Sequence, residues 1–546
     1  MNIIEQIRAQ VIQAVKQLSP ETPEADIIIQ LNLDAQKQQF GDLTCNAPLM
    51  LAKKLGEQPR ALAQKLITTI NHPSIAKIEI AGAGFLNVFF TQEAFNAVAR
   101  ELHAQKSMFF TAPHVSKMTY DVEYVSANPT GPLHLGHGRG GIIGDVLSNI
   151  LHLIGHGVIR EFYINDAGSQ IQKLGISFRV RCMQQLGLDI AVPEDGYHGE
   201  YLVELARDCA TKLGDQLQTK DDVFFAQYAK DNLLKKIQHT LNEYGIRYDV
   251  WFSEKTLHSS DAITQALQLL EQRGKTYTKD DALWFTSTEY GDDKDRVLRK
   301  SSGELTYIAA DVAYLRNKFE RAQRLVFVLG QDHHSYAVRL KGIAAALGYN
   351  PDMVDVILYQ LVTLKEDGEL LRMSKRAGTM VGLQEIIDTV GTDVARFFYL
   401  NRKADAHLDF DIALALKKTD ENPVYYIQYA YVRTLSILAK AQEHAPLQMI
   451  NETDAAHMQE SERVLLKKIS ALKELLSVIS NNYQTHLLSY YVLELAQQFH
   501  AYYARHTIID INNEKISRAR LLMTTLVKDT IALSLDLLGL SKPTKM

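Results

Sequence analysis

The sequence predicts a multidomain α/β protein assembled around a doubly wound sheet, and three features support this. Met118–Ser126 alternates Tyr120, Val122 and Tyr124 with polar or charged residues, the period of a strand. Asn128-Pro129 and Gly131-Pro132 then break the strand, and apolar residues recur at 142/143, 146/147, 150/151 and 154, as on a buried helix face. A second apolar run, Arg324–Leu329, ends at Gly330-Gln331-Asp332-His333-His334, where a doubly wound sheet holds ligands beyond the carboxyl end of a strand.

At 546 residues the chain is too long for one core, so about three domains are expected. Hydrophobic content of 46% is ordinary for a soluble globular chain. The formal charge of −5 carries no basic signature for nucleic acid, although it is compatible with a local basic face. Cys45, Cys182 and Cys209 lie far apart with no C-x-x-C. That speaks against structural zinc and a disulfide framework, and fits a reducing cytoplasm. No charged-then-apolar leader and no long apolar run occurs, so a soluble intracellular protein with no membrane partner is expected.

Residues 1–112 read as a small α/β unit. A helix near 2–18 precedes strand-like Ile27–Leu33, a helix through Leu49–Leu55, and strands Lys77–Ile80 and Phe85–Phe90 around Ala81-Gly-Ala-Gly84. Ten basic and ten acidic residues balance there, so charge names no partner. Residues 113–419 form the sheet domain, with Arg160–Ile164 as its second strand and a helix-rich, charged insertion near 180–300. Asn165-Asp-Ala-Gly168 opens a helix in which Asp166 is a natural N-cap. Val356–Leu364 reads as a further strand, and residues 420–546 are nearly all helical in pattern.

The chemistry concentrates at two places. His134 and His137 can project to one side at the start of the helix, and Gly136 between them leaves room for a flat ring against the backbone. A helix N-terminus offers unpaired N–H groups and the positive dipole end to phosphate. Two imidazole donors there suit phosphoryl chemistry, in which catalysis is positioning and charge stabilisation. An isolated H-x-G-H fits two surface histidines in a glycine-rich cap equally well. Tyr307 and Asp311 share a face if a helix begins at 307. Asp311 and Glu123 could then offer carboxylates to a guanidinium, which takes them in fork geometry, although an isolated Asp in a helix is usually solvated. His333-His334 is not read as a metal site, because no third ligand accompanies the pair.

His134-Leu135-Gly136-His137 resembles the first signature of class I aminoacyl-tRNA synthetases, and Ala127–His137 is similar to the form seen in arginyl-tRNA synthetases. Met373-Ser374-Lys375 resembles the second signature, a mobile loop whose lysine meets the pyrophosphate, with Arg372 and Arg376 departing from the usual flanks. Asn422–Ala430 and Leu533–Gly539 are similar to that family's anticodon-binding bundle, and Phe40-Gly41-Asp42 with Asn46 to its additional N-terminal domain.

The resemblance spans the chain. It implies a class I Rossmann-like catalytic domain, a small α/β N-terminal domain that contacts tRNA, and an all-α C-terminal anticodon-binding bundle. It implies that L-arginine and ATP give arginyl-adenylate, whose arginyl group passes to the 3′ end of tRNA(Arg). His134 and His137 would stabilise the α-phosphate transition state, and Lys375 would neutralise the leaving pyrophosphate. Leu135, Gly136, Gly330, Asp332, Met373, Ser374 and Lys375 would bind ATP with its Mg2+; no zinc is expected. Glu123, Asn128, Tyr307, Asp311 and Gln331 would bind arginine. Phe40, Gly41, Asn46, Tyr425 and Tyr429 would touch tRNA, although a tyrosine stripe equally suits a bundle core. A cytoplasmic monomer that activates arginine only with tRNA bound is expected. Two rivals stay open at this point. A small-molecule adenylyltransferase has no use for such flanking domains, and intact His134, His137 and Lys375 speak against a catalytically silent RNA-binding paralogue.

Overall fold

The computed structural model describes residues 2–111, 116–366, 369–370 and 381–546. Five parallel strands form the central sheet, in the order Val354–Tyr359, Arg324–Gly330, Thr119–Tyr124, Gly157–Ile164, Val250–Ser253. The chain builds outward from Thr119–Tyr124 to one edge, then returns to build the other, so the order reverses at that strand. Such a switch point is where open α/β sheets bind ligands. Residues 120–124 are all buried, as a parallel strand covered on both faces requires. The helix Leu135–Leu153 lies close on this sheet because its glycines leave space. A Cβ on Gly144 would come within 2.3 Å of the Tyr124 ring, and one on Gly140 within 2.6 Å of Tyr359.

The run expected as one strand, Val356–Leu364, is two. Val354–Tyr359 belongs to the main sheet, whereas Val362–Glu366 pairs parallel with Leu408–Asp411 in a separate small sheet. The turn between them is held by a buried cation. Arg139 donates to the carbonyls of Gln360, Ala406 and Lys403 at 2.9, 2.8 and 2.9 Å.

The span read as an insertion folds as the helices Ser169–Gln185, Glu200–Leu213 and Asp222–Glu243 with a core of their own, followed by an antiparallel three-stranded sheet. It also supplies Val250–Ser253, the edge strand of the main sheet. Asp166 is not the N-cap expected of it. The helix begins at Ser169 after Gly168, whose φ of +101° suits glycine. The Asp166 carboxylate instead accepts the Ser253 hydroxyl at 2.8 Å and the Lys255 N–H at 3.1 Å, pinning the edge strand.

The N-terminal unit is an antiparallel sheet, in the order Ile29–Leu31, Leu43–Cys45, Phe85–Phe90, Ile75–Ala81, with helices Ile3–Leu18, Ala47–Leu55, Pro59–Thr69 and Gln92–Gln105. At the other end stand the long helices Pro423–Ala441, Glu460–Asn482, His486–Arg505 and Glu514–Leu538. Among the described residues no helix is long and apolar enough to cross a membrane.

Charged contacts fasten these units to one another. Asp42 accepts the Phe90 N–H at 2.8 Å and takes Lys467 of the C-terminal bundle at 2.9 Å. Arg396, fully buried, donates to the carbonyls of Leu538 and Tyr244 at 2.9 and 2.6 Å and to the Asp145 carboxylate at 2.5 Å. Removing one member of a buried pair leaves the other charge uncompensated, which costs about 3–5 kcal/mol. Arg396→Leu should therefore lower the thermal unfolding midpoint, followed by circular dichroism, by roughly 5 °C or more. An unchanged midpoint would show that this latch does not hold the bundle to the sheet.

Candidate active site

The site begins where the central strand ends. Val125 and Ser126 both have positive φ, 69° and 41°, so the chain turns sharply in a conformation that L residues, and β-branched valine above all, adopt with strain. The Ser126 hydroxyl stabilises the turn, donating to Glu123 Oε1 at 3.0 Å and accepting the Tyr163 N–H at 3.0 Å. Beyond the turn, His134 caps the helix Leu135–Leu153.

The two histidines expected at that helix start are stacked, with ring centroids 3.7 Å apart and planes 25° from parallel. His134 Nδ1 accepts the Gly136 N–H and His137 Nδ1 accepts the His134 N–H, each at 3.1 Å. With Nδ1 an acceptor, each neutral imidazole carries its proton on Nε2, so both rings are Nε2–H donors. A Cβ on Gly136 would lie 3.1 Å from the His134 ring, so a side chain there would displace the imidazole.

Leu133 and Leu135 are laced to a distant segment. The Leu135 N–H donates to Val381 O at 3.3 Å, the Leu383 N–H donates to Leu133 O at 2.8 Å, and His134 bridges to Gly382. Met373, Ser374 and Lys375, together with Arg372 and Arg376, lie outside the described residues.

Gly330, Gln331 and Asp332 stand at the carboxyl end of the neighbouring strand. Gln331 and Asp332 are exposed, and the Asp332 carboxylate folds back so closely that a Cβ on Gly330 would lie 2.7 Å from it. Tyr307 opens the helix Tyr307–Arg321 and is 64% exposed, whereas Asp311, one turn on, is half-buried. Asn128 is exposed on the turn.

Asp311 accepts the Tyr336 hydroxyl at 3.0 Å. Burial pushes its carboxyl up to about 7; Glu254 and Glu123 add to the rise, while Tyr336 and Arg339 oppose it. Glu254 is itself buried, which raises its carboxyl against the pull of hydrogen bonds from Tyr163 and His258. Glu123, Asp311 and Glu254 thus form an acidic cluster, with Tyr163 and Tyr336 beside it.

Sequence reasoning missed Glu254, Tyr163, Tyr336 and a buried layer beneath them. Asp311, Tyr314, Lys318 and Arg321 recur at helical spacing, and Asp121 and Glu123 occupy one face of the central strand. Charged residues in a strand so apolar were the available signal.

The residues expected at tRNA lie elsewhere. Phe40 is 44% exposed. Gly41 has φ +81°, and a Cβ there would meet Val88 O at 2.8 Å. Asn46 heads the helix Ala47–Leu55, and its side-chain oxygen accepts the Ile28 N–H at 3.3 Å. Tyr425 and Tyr429 line a cavity of about 520 Å³ with Lys418, Arg433 and His500. The Arg433 guanidinium stacks 4.5 Å from the Tyr429 ring centroid and 4.8 Å from that of Tyr503.

A parallel sheet with its switch point at the central strand, and paired imidazole donors capping the helix beyond it, are the frame of a class I nucleotide-binding domain, and the family match assigns the chain to the class I aminoacyl-tRNA synthetases. Residues 99–405 match the family model described as tRNA synthetases class I (R), catalytic domain. Residues 5–90 match the arginyl tRNA synthetase N terminal domain, and residues 427–546 the DALR anticodon binding domain. The chain is 39% identical over 551 residues to arginine–tRNA ligase 1 of Halalkalibacterium halodurans, covering 99% of each chain. It is 38% identical over 559 residues to the arginine–tRNA ligase of Geobacillus thermodenitrificans, covering 100% of each.

Among solved structures, the putative arginyl-tRNA synthetase from Campylobacter jejuni aligns with a TM-score of 0.76 at 31% identity, covering 84% of this chain and 100% of that one. The Thermus thermophilus arginyl-tRNA synthetase shares the fold over 100% of both chains, with a TM-score of 0.78 at 21% identity. The chain belongs to the arginyl-tRNA synthetases, the ligases that charge tRNA with arginine in translation.

Proposed function

We propose that L-arginine is activated in the crevice between the stacked histidines and Gly330–Asp332, by His134, His137 and Lys375 acting together. The observation that carries this reading is the backbone lacing of Leu133–Leu135 to Val381–Leu383. It fastens the chain just beyond Met373-Ser374-Lys375 to the helix start that bears both imidazoles.

An arginine carboxylate oxygen attacks the α-phosphorus of ATP, and the bond to pyrophosphate breaks. The Nε2–H groups of His134 and His137 meet the α-phosphoryl oxygens as charge gathers there, where fixed donors count most. Lys375 balances the departing pyrophosphate, which leaves with the Mg2+ that ATP brought as part of the substrate. A ribose hydroxyl at the 3′ end of tRNA then attacks the carbonyl of the adenylate, and AMP leaves. Leu135, Gly136 and Gly330 form the floor against the nucleotide, Asp332 holds its ribose, and Met373 and Ser374 accompany Lys375.

Glu123 and Asp311 face the cationic groups of arginine, with Asn128, Tyr307 and Gln331 at the mouth of the pocket. Phe40, Gly41 and Asn46 belong to the surface that meets tRNA on the N-terminal unit, and Tyr425 and Tyr429 to that on the bundle. The chain works as a cytoplasmic monomer; its three buried, free cysteines are compatible with a reducing compartment. tRNA would bridge the N-terminal unit, the sheet and the bundle, and its binding favours the aligned conformation.

ATP–pyrophosphate exchange tests the centre and the order of events together. Exchange should be negligible with arginine and ATP alone and should appear on adding tRNA(Arg). With tRNA present, Lys375→Ala should slow exchange by at least about a hundredfold. A Lys375→Ala rate within about threefold of the parent would remove Lys375 from the proposal, and robust exchange without RNA would overturn the tRNA-first order.

The pocket also sets a pH dependence. Asp311 must be ionised to pair with a guanidinium, and its carboxyl stands at about 7 in the free protein. A bound guanidinium lowers that value, so affinity is full well above pH 7 and falls about tenfold per pH unit below it, until the lowered value is reached. Calorimetric titration with arginine across this range should show that slope, and Asp311→Asn should abolish it while weakening binding throughout. A flat profile in the parent protein would place Asp311 away from the substrate's charge.

A further inference from the structure

Beneath the pocket, Lys318 is fully buried, and its ammonium lies 2.7 Å from Asp121, 3.1 Å from Glu123 and 3.0 Å from Glu161. Glu123 and Glu161 are register partners on neighbouring strands, so their like charges sit side by side. The Tyr314 hydroxyl bonds Glu123 at 2.6 Å and also reaches Glu161, and Arg321 lies 2.6 Å from Glu161 and 3.4 Å from Asp121. The rings of Tyr314 and Phe327 complete the enclosure, 4.9 and 5.1 Å from the ammonium.

Three carboxylates therefore meet two cations, and the set is one positive charge short. Asp121 and Glu161 have no exposure, whereas Glu123 keeps 6% at the carboxyl end of its strand and contributes to the field on Asp311. The uncompensated charge thus faces the pocket. Burial pushes the Asp121 carboxyl up to about 6 against the pull of Lys318, with Glu161 adding to the rise, whereas Lys318, Tyr314 and Arg321 hold the Glu161 carboxyl below its ordinary value despite burial.

We propose that this buried set acts as one unit whose missing positive charge is supplied by the substrate, so that Asp121 and Glu161 are specificity-determining positioning residues although neither reaches the pocket. The inference rests on the reading of Glu123 as an arginine-binding residue. A plain structural strut has a different signature. It would lose stability and turnover when any member is changed, and would lose more when two are changed.

The test uses the full-length enzyme in steady-state tRNA charging at pH 8, where Asp121 is ionised, with KM measured separately for arginine and ATP. Asp121→Asn cancels the deficit while keeping the shape, and should raise the arginine KM about tenfold or more, with kcat and the ATP KM little changed. Glu161→Gln, an independent isosteric change, should act in the same direction. Adding Lys318→Met to Asp121→Asn restores a set one positive charge short, and should bring the arginine KM back toward the parent value. An unchanged arginine KM in both single variants, or a double variant worse than Asp121→Asn, overturns the inference. Glu123→Gln separates it from the underlying reading. A raised arginine KM there with silent Asp121→Asn sinks the inference alone, whereas no effect of Glu123→Gln sinks both.

Discussion

One ammonium group fixes the chemistry of the sheet. A parallel strand covered on both faces is ordinarily apolar, yet Thr119–Tyr124 and Gly157–Ile164 carry Asp121, Glu123 and Glu161 within their buried stretch. They are sustained by Lys318 and Arg321, which the helix Tyr307–Arg321 delivers one turn apart on its sheet-facing side. That same stripe presents Asp311 and Tyr314, so the helix that neutralises the buried carboxylates also carries the aspartate of the acidic cluster. Its rotation about its own axis is fixed by the ion pairs, and Asp311 is held where burial, with Glu254 and Glu123 adding to it, raises its carboxyl.

The helix Leu135–Leu153 ties this chemistry to the rest of the molecule. Its first turn carries the stacked imidazoles, and its middle carries Asp145, bonded to Arg396, and Asn149, whose amide donates to Leu537 O at 3.1 Å. The last helix of the C-terminal bundle is therefore bonded to the same helix that carries the stacked imidazoles. The N-terminal unit joins through Asp42 and Lys467. These contacts join both outer units, through buried or partly buried charges, to the domain that carries the histidines.

Much of this was legible in the residues. Strand alternation at Tyr120–Tyr124, the Asn-Pro and Gly-Pro breakers and the apolar spacing of the next helix were local signals, and the structure follows them. That His134 and His137 would stand together at the helix start was legible from their three-residue spacing. What depended on packing was hidden. Val356–Leu364 read as one strand because its apolar run continues through the turn that Arg139 holds from another part of the chain. Asp166 read as a cap because its carboxylate's true partners, Ser253 and Lys255, lie far along the sequence. Glu254 and Lys318 look like ordinary surface charges until the edge strand and the helix at Tyr307 bring them inside.

In the proposed mechanism, charge held among buried carboxylates selects the amino acid. The most direct measurement compares kcat/KM for tRNA charging with arginine and with citrulline, which keeps the shape of arginine but replaces the guanidinium with a neutral urea. A pocket whose carboxylates are left unpaired by the neutral analogue should reject it by at least about a thousandfold. Citrulline used within about tenfold of arginine would contradict the account and assign selection to shape.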